Sequence, residues 1–167
     1  MNKDKFDEFI KIAKKLNDNE IIPLLMGSVG LEIITGKDWD AQDLDIHVPG
    51  DHRGWEVPPE LSIYNWEDIV QIMNSMEYRL IDLHEHEFCK DGLSVEFGII
   101  DTLPDFAGVQ LEDLEMHQWG DVKYYLLNPE QYLRVYKSSS KDRYRADQNN
   151  NKDFKKITFL EEMMINE

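Results

Sequence analysis

The chain has 167 residues, is 41% hydrophobic, and carries 34 acidic against 18 basic side chains for a net charge of −16. That length fits one domain, residues 1–167, with a core of its own. No run of eighteen apolar residues occurs, and the N-terminus MNKDKFDEFIKIAKKL is charged throughout, so neither a membrane span nor a signal peptide is expected. The single cysteine, Cys89, excludes an internal disulfide and suits a reducing, cytoplasmic setting. The charge is uneven: residues 1–133 hold 10 basic and 28 acidic side chains, whereas residues 134–167 hold 8 and 6. Such a surface repels a nucleic-acid backbone and attracts cationic small molecules, although solubility alone would also be served by it.

Residues 4–17 form an amphipathic helical pattern, with Phe6, Ile10, Ala13 and Leu16 at helical spacing and Phe9 beside them. Ile21 to Met26 reads as a short apolar strand, with Pro23 marking an edge or a strand start. Gly27 and Ser28 turn the chain into a helix from Val29 to Thr35. A loop with Trp39 follows, and Asp43 to Val48 reads as the next strand. The stretch PGDHRGWEVPP (residues 49–59) is irregular and suits a loop over a site or a plain surface excursion.

A helix is expected over residues 65–76, with Asn65 as cap, Asp68 completing a capping box, and Ile69, Ile72, Met73 and Met76 on the core side. Tyr78 to Leu83 and Glu85 to Cys89 read as extended. Asp91-Gly92 marks a hairpin turn into the strand Leu93 to Ile100. Residues 101–118 carry no clear pattern. A brief extended piece is expected at Tyr124 to Leu127, then a helix over Pro129 to Tyr136 capped by Asn128. Residues 138–151 read as a linker or corner. A last helix, Lys152 to Met164, has Phe154, Ile157, Leu160 and Met164 as its apolar stripe.

Asp43 and Asp45, two apart on a strand, point to one face because side-chain direction repeats every two residues. Two ionised carboxylates side by side repel, and a divalent cation or a proton relieves them. Glu96 lies between apolar Val95 and Phe97 and so faces away from them. If its strand lies beside the Asp43–Asp45 strand, three carboxylates come together. Oxygen ligands of this type suit Mg²⁺ with substrate phosphates, and the third acid could serve as general base. Gly27-Ser28, at a strand-to-helix turn, can hold phosphate oxygens.

The remaining polar and aromatic candidates are weaker. His84 and His86 at i and i+2 invite a metal reading, but a polar strand face explains them as well. His47 reads as a packing or surface residue on the face opposite Asp45, and Cys89 as partly buried. Trp39, Trp55 and Trp119 could stack on a base or sugar-like ring, or serve the core.

LLMGS, then DLDIHV, then SVEFG resembles the pattern of the nucleotidyltransferase superfamily, the fold shared by DNA polymerase beta and antibiotic nucleotidyltransferases: a hydrophobic strand, Gly-Ser or Gly-Gly, a helix, Asp-x-Asp, and a later acid on another strand. The resemblance implies an α/β (α+β) fold, a small mixed sheet flanked by helices with a helical C-terminal part over 128–167. It implies Mg²⁺ held by Asp43, Asp45 and Glu96, and an NTP whose phosphates meet Gly27 and Ser28. GSVGLEIITGKDWDAQDLDIHV looks closest to the small-molecule, antibiotic and antitoxin-system branch. In that branch a helix opening with Pro-Glu ends in Lys, with an Arg and an acid following, and Lys137, Arg143 and Asp153 match loosely. The implied activity is transfer of a nucleoside monophosphate from an NTP to a hydroxyl of a small-molecule acceptor. A nucleic-acid or membrane partner is not expected, whereas a homo-oligomer or antitoxin-type protein partner is open. Departures at Ser28-Val29-Gly30 and the Glu in place of Asp leave two alternatives: a degenerate nucleotidyltransferase fold that binds a nucleotide or protein, and a Mg²⁺-dependent phosphohydrolase.

Overall fold

The computed structural model describes residues 3–140 and 152–166. Among them are seven strands: β1 (Leu24–Met26), β2 (Leu44–Val48), β3 (Arg79–Asp82), β4 (Glu87–Lys90), β5 (Leu93–Ile99), β6 (Glu115–Trp119) and β7 (Val122–Leu126). The helices are α1 (Lys3–Asp18), α2 (Gly27–Thr35), α3 (Pro59–Ser62), α4 (Trp66–Ser75), α5 (Leu103–Ala107), α6 (Pro129–Ser140) and α7 (Lys152–Ile165). The strands form one mixed sheet in the order β3-β4-β5-β2-β1-β7-β6. β1 runs antiparallel to β2 and parallel to β7, and β2 runs parallel to β5.

β1 is central, which is why all three of its residues are buried. Pro23 precedes it and so marks a strand start rather than an edge. β2 alternates, with Leu44, Ile46 and Val48 buried and Asp45 and His47 half-buried. Its apolar side joins Phe9, Ile12, Val95 and Phe97 in one core cluster, which includes residues of α1 and α4. The other side of the sheet carries a second cluster, in which Leu24 and Met26 pack with Leu103 of α5, Tyr132 and Val135 of α6, and Leu160 of α7. Each fully buried apolar side chain of this kind contributes about 1.5–3 kcal/mol.

The local signals for these elements differ in how they play out. On α1 the fully buried residues are Phe9, Ile12, Ala13 and Leu16, with Phe6 and Ile10 at the flank. The α6 cap forms as a reciprocal pair: the Gln131 N–H donates to Asn128 Oδ1 at 2.9 Å, and the Asn128 N–H donates to Gln131 Oε1 at 3.0 Å. At α4 the expected capping box does not form. Asn65 sits at φ 60°, ψ 29° and makes no side-chain cap bond. α6 runs past Tyr136 to Ser140, into the start of the expected linker. On α7 the buried residues are Asp153, Ile157 and Leu160, while Phe154 is exposed, so the apolar stripe is turned from its expected position. β6 escapes the sequence pattern because its residues, EMHQW, are mostly exposed on an edge strand and do not alternate. His84 and His86 lie in the turn between β3 and β4, not on a strand. His86 is buried with its Nε2 at 2.8 Å from the Pro59 carbonyl oxygen, while His84 is exposed, so the two do not face together. Among the described residues no helix is long and apolar enough to cross a membrane.

Candidate functional site

The register of the central strands sets the site. Asp45 on β2 is paired with Glu96 on β5, and Glu96 is paired across its other edge with Glu87 on β4. Paired residues on neighbouring strands share a face. Three acids therefore stand side by side on adjacent strands, and Asp43 sits just ahead of β2 on the same side. Glu96 feels the crowding most. Burial and the carboxylates of Asp45, Glu87, Glu85 and Asp43 push its pKa up to about 7. The Asp43 carboxyl is also raised, first by burial and then by Glu87, with Lys5 opposing the shift and Asp45 adding to it. Ser94 Oγ donates to Glu87 at 2.5 Å, which fixes the outermost acid of the row.

Gly27 meets Asp45 from the other side. It takes φ +66°, and a Cβ built there would stand 3.0 Å from Asp45 Cβ and 3.4 Å from its Oδ2. Glycine is needed here both for the left-handed turn and for the close approach. Tyr132 Oη donates to the Gly27 carbonyl at 3.2 Å. Gly30 makes this possible, since a Cβ on it would collide with that hydroxyl. The unusual Ser28-Val29-Gly30 sequence thus has a structural cause: the second glycine admits a buried tyrosine from α6. Ser28, in the first turn of α2, accepts a hydrogen bond from Lys156 of α7 at 3.0 Å. Lys156 Nζ also lies 5.1 Å from the centre of the Tyr136 ring. A helix start with a lysine beside it favours an anion.

Lys137 sits elsewhere on the same helix pair, with Nζ 3.9 Å from Glu161 Oε2, and is half exposed. Arg143 lies outside the described residues. Lys156 was not singled out from the sequence, although it follows the buried Asp153 by three residues and precedes the buried Leu160 by four, and so belongs to the inward side of α7. Glu87 and Tyr132 were missed as well, because only strand pairing and helix docking bring them to the site.

His47 corrects an expectation. Being two residues from Asp45, it shares its face, and its Nε2 lies 3.3 Å from Asp45 Oδ1. Gly98 leaves room for it, since a Cβ there would stand 2.5 Å from His47 Nε2. Asp45 is therefore wedged between Gly27 and His47. Beyond His47 and Glu96 a cleft of about 530 Å³ opens, walled by the loop of residues 52–57, by His84 to His86, and by Thr102, Asp105 and Phe106 near α5. Trp55 lies on its rim. Trp39 instead packs edge-on against Phe159, with its indole N–H bonded to Thr35, and Trp119 packs edge-on against Phe6.

The donor chemistry fits a hard divalent cation, because the acids are oxygen ligands whose raised pKa values a cation would relieve. The row is open: among the described residues no group of three or more His, Cys, Asp or Glu side chains is drawn together closely enough to hold a metal alone. Mg²⁺ commonly uses one or two carboxylates and completes its shell with water and substrate phosphate, so an open row suits it better than a cage would.

No family model matches the chain. It is similar in fold to the crystal structure of an antigenic nucleotidyltransferase-like protein from Paracoccidioides brasiliensis, with a TM-score of 0.58 and 17% identity over 94% of this chain and 75% of that one. The fold is thus α/β and nucleotidyltransferase-like. The uncharacterized protein YnaI of Bacillus subtilis (strain 168) is 38% identical over 165 residues, which is 96% of this chain and 98% of that protein. The chain belongs to the same family as YnaI.

Proposed function

We propose that the chain transfers a nucleoside monophosphate from an NTP to a hydroxyl of a small, cationic acceptor, with Mg²⁺ as cofactor, in the manner of the small-molecule branch of nucleotidyltransferases. The observation that carries this reading is the register of Asp45 with Glu96, directly beside the Gly27-Ser28 turn. Asp43 and Asp45 would hold Mg²⁺, with Glu96 beside them, and the ion when bound would neutralise charge on the phosphate oxygens. Gly27 lets the backbone of the turn approach the phosphates, and Ser28 with Lys156 holds them. The acceptor oxygen forms a bond to the α-phosphorus while the bond to pyrophosphate breaks. Glu96, beside the carboxylates that would hold the ion, takes the acceptor's proton as general base. Lys137 and Arg143 are further cations for the departing pyrophosphate. The single cysteine and the acidic surface suit a cytoplasmic setting.

The test is incubation with each of the four NTPs, labelled at the α-phosphate, with Mg²⁺ and a panel of hydroxyl-bearing amines. Label moving to an amine with pyrophosphate released is the expected result. Phosphate released without label transfer would assign a phosphohydrolase instead. A second reading, a nucleotide-binding protein without transfer activity, is favoured by the open arrangement of the acids. It would appear as Mg²⁺-dependent NTP binding in calorimetry with no labelled product. Absence of any NTP binding would sink both readings.

A further inference from the structure

We propose that the cleft beyond Glu96 is a binding site for an organic cation with a flat or compact apolar body, and that Trp55 is its platform. Read together with the transfer reaction, this cation is the acceptor; the binding itself does not depend on that reaction. The charges that line the cleft are unbalanced. Asp45, Glu96, Glu85 and Asp105 all contribute carboxyl groups. The one arginine, Arg53, is already held by Asp51: its Nε and Nη2 donate to the two carboxylate oxygens at 3.0 and 2.8 Å, and its backbone N–H adds a bond at 2.9 Å. Arg53 is thereby aimed at its own loop and spends its charge there. Four histidines also line the cleft but no lysine does, so an anionic ligand would meet four carboxyl groups against one ion-paired arginine, whereas an ammonium or guanidinium would be drawn in.

The rim supplies the second, independent observation. Trp55 is 74% exposed and Phe106 is 50% exposed, both on the cleft. The Trp55 ring is not loose: it stacks on His84, with centroids 5.0 Å apart and the planes 29° from parallel. An indole face held in place over an acid-lined cavity attracts cations through its ring quadrupole as well as through dispersion. The loop that carries Trp55 is anchored behind it. The Gly50 N–H donates to Asp101 at 2.9 Å and the Asp51 N–H to the Ser62 carbonyl at 2.7 Å. The cavity volume matches a small molecule rather than a peptide or a polymer. The nucleotide end is separate: Gly27 touches Asp45 from the β1 side, while the cleft opens on the β5 side, so Asp45 stands at the junction of the two.

The experiment uses the full chain without nucleotide or Mg²⁺. Benzyltrimethylammonium, benzyl alcohol and phenylacetate are titrated while the Trp55 indole N–H is followed by ¹H–¹⁵N NMR, its signal assigned by its loss in Trp55→Phe. The cation is expected to shift that signal saturably and to bind at least ten-fold more tightly than the neutral or anionic compound. Trp55→Ala should weaken cation binding about 3-fold or more. The pair Glu85→Gln and Asp105→Asn should weaken it about 5-fold at low salt, with the difference shrinking at 0.5 M salt. All three sites lie at the surface of the cleft, and circular dichroism confirms that each variant is folded. Equal binding of the three compounds, no saturable shift at Trp55, or indifference to these substitutions would overturn the proposal. The outcomes separate the two readings. Cation binding with no NTP binding leaves the cleft standing and removes the transfer reaction. Label transfer to an amine whose KM ignores Trp55→Ala, Glu85→Gln and Asp105→Asn removes the cleft and leaves the reaction.

Discussion

Glu8 and Glu96 are carboxylates in contrasting company. Glu8 on α1 accepts a hydrogen bond from the buried Tyr78 hydroxyl at 2.6 Å, with Lys90 at 3.6 Å and Lys11 at 3.7 Å. Burial alone would raise its pKa, but Tyr78 and the two lysines together pull it below the ordinary value. Glu96 faces Asp45 and Glu87 on neighbouring strands, and burial and those acids push it up to about 7. Among the described residues no basic side chain forms an ion pair with Glu96. The chain can build a carboxylate partnered by lysines and a tyrosine, and at Glu96 it does not. Like-charge crowding there works against the fold, which is the usual mark of a site shaped for something other than stability.

The largest expected effect separates the two carboxylates by activity. Glu96→Gln and Asp45→Asn should each lower nucleotidyl transfer about 100-fold or more while the protein stays folded, and Glu8→Gln should leave the rate of the folded protein within a factor of about two. Single-turnover rates with labelled NTP decide this. Next comes stability. Glu8→Ala strands the buried Tyr78 hydroxyl and should cost about 2 kcal/mol in urea unfolding, whereas Glu96→Gln should cost nothing or stabilise. Equal losses from both would erase the contrast.

A smaller effect tests the cation placed opposite the acids. Lys156→Ala should weaken NTP binding about 10-fold, since it removes a charged donor at Ser28, and Lys137→Ala less than about 3-fold. Calorimetry with Mg²⁺ and NTP compares them. The smallest effect is in pH. Between its ordinary value near 4.5 and about 7, folded Glu96 keeps a proton that the unfolded chain has lost, so its contribution to stability falls as pH rises through that window. The Glu96 carboxyl is only partly desolvated and keeps a side open to water that screens it, so the loss is about 1 kcal/mol. Glu8 has the opposite sign: its contribution is present above the ordinary carboxylate value and is lost as pH falls through its lowered one. Urea midpoints at pH 5 and pH 8 for the parent chain and for Glu96→Gln should show the parent losing more on going to pH 8, and added Mg²⁺ should narrow the gap.

Much of the site's frame was readable from local spacing. The Asp43–Asp45 interval, the glycine turn before a helix, and an acid between Val95 and Phe97 each follow from short-range periodicity. What was not readable depends on pairing or docking. Glu87 joins the acids only because β4 pairs with β5 in that register. Tyr132 and Lys156 reach the turn from helices that pack over it. His47 was a misapplied period: two residues along a strand returns to the same face, where Asp45 waits. The α4 cap failed because Asn65 adopts the left-handed conformation, a backbone choice that composition does not reveal.

The bond from Tyr132 to Gly27 spans 105 residues, and that from Lys156 to Ser28 spans 128. Contacts of such separation require long loops to close, a cost that slows folding. The strand pair β1–β2 can assemble from residues close in sequence, but the turn beside it is fastened only when α6 and α7 dock. Without α7 docked, Ser28 would lack Lys156. On the proposed reading, NTP affinity would thus depend on the docking of the C-terminal helix pair and would report whether the two ends of the chain have met.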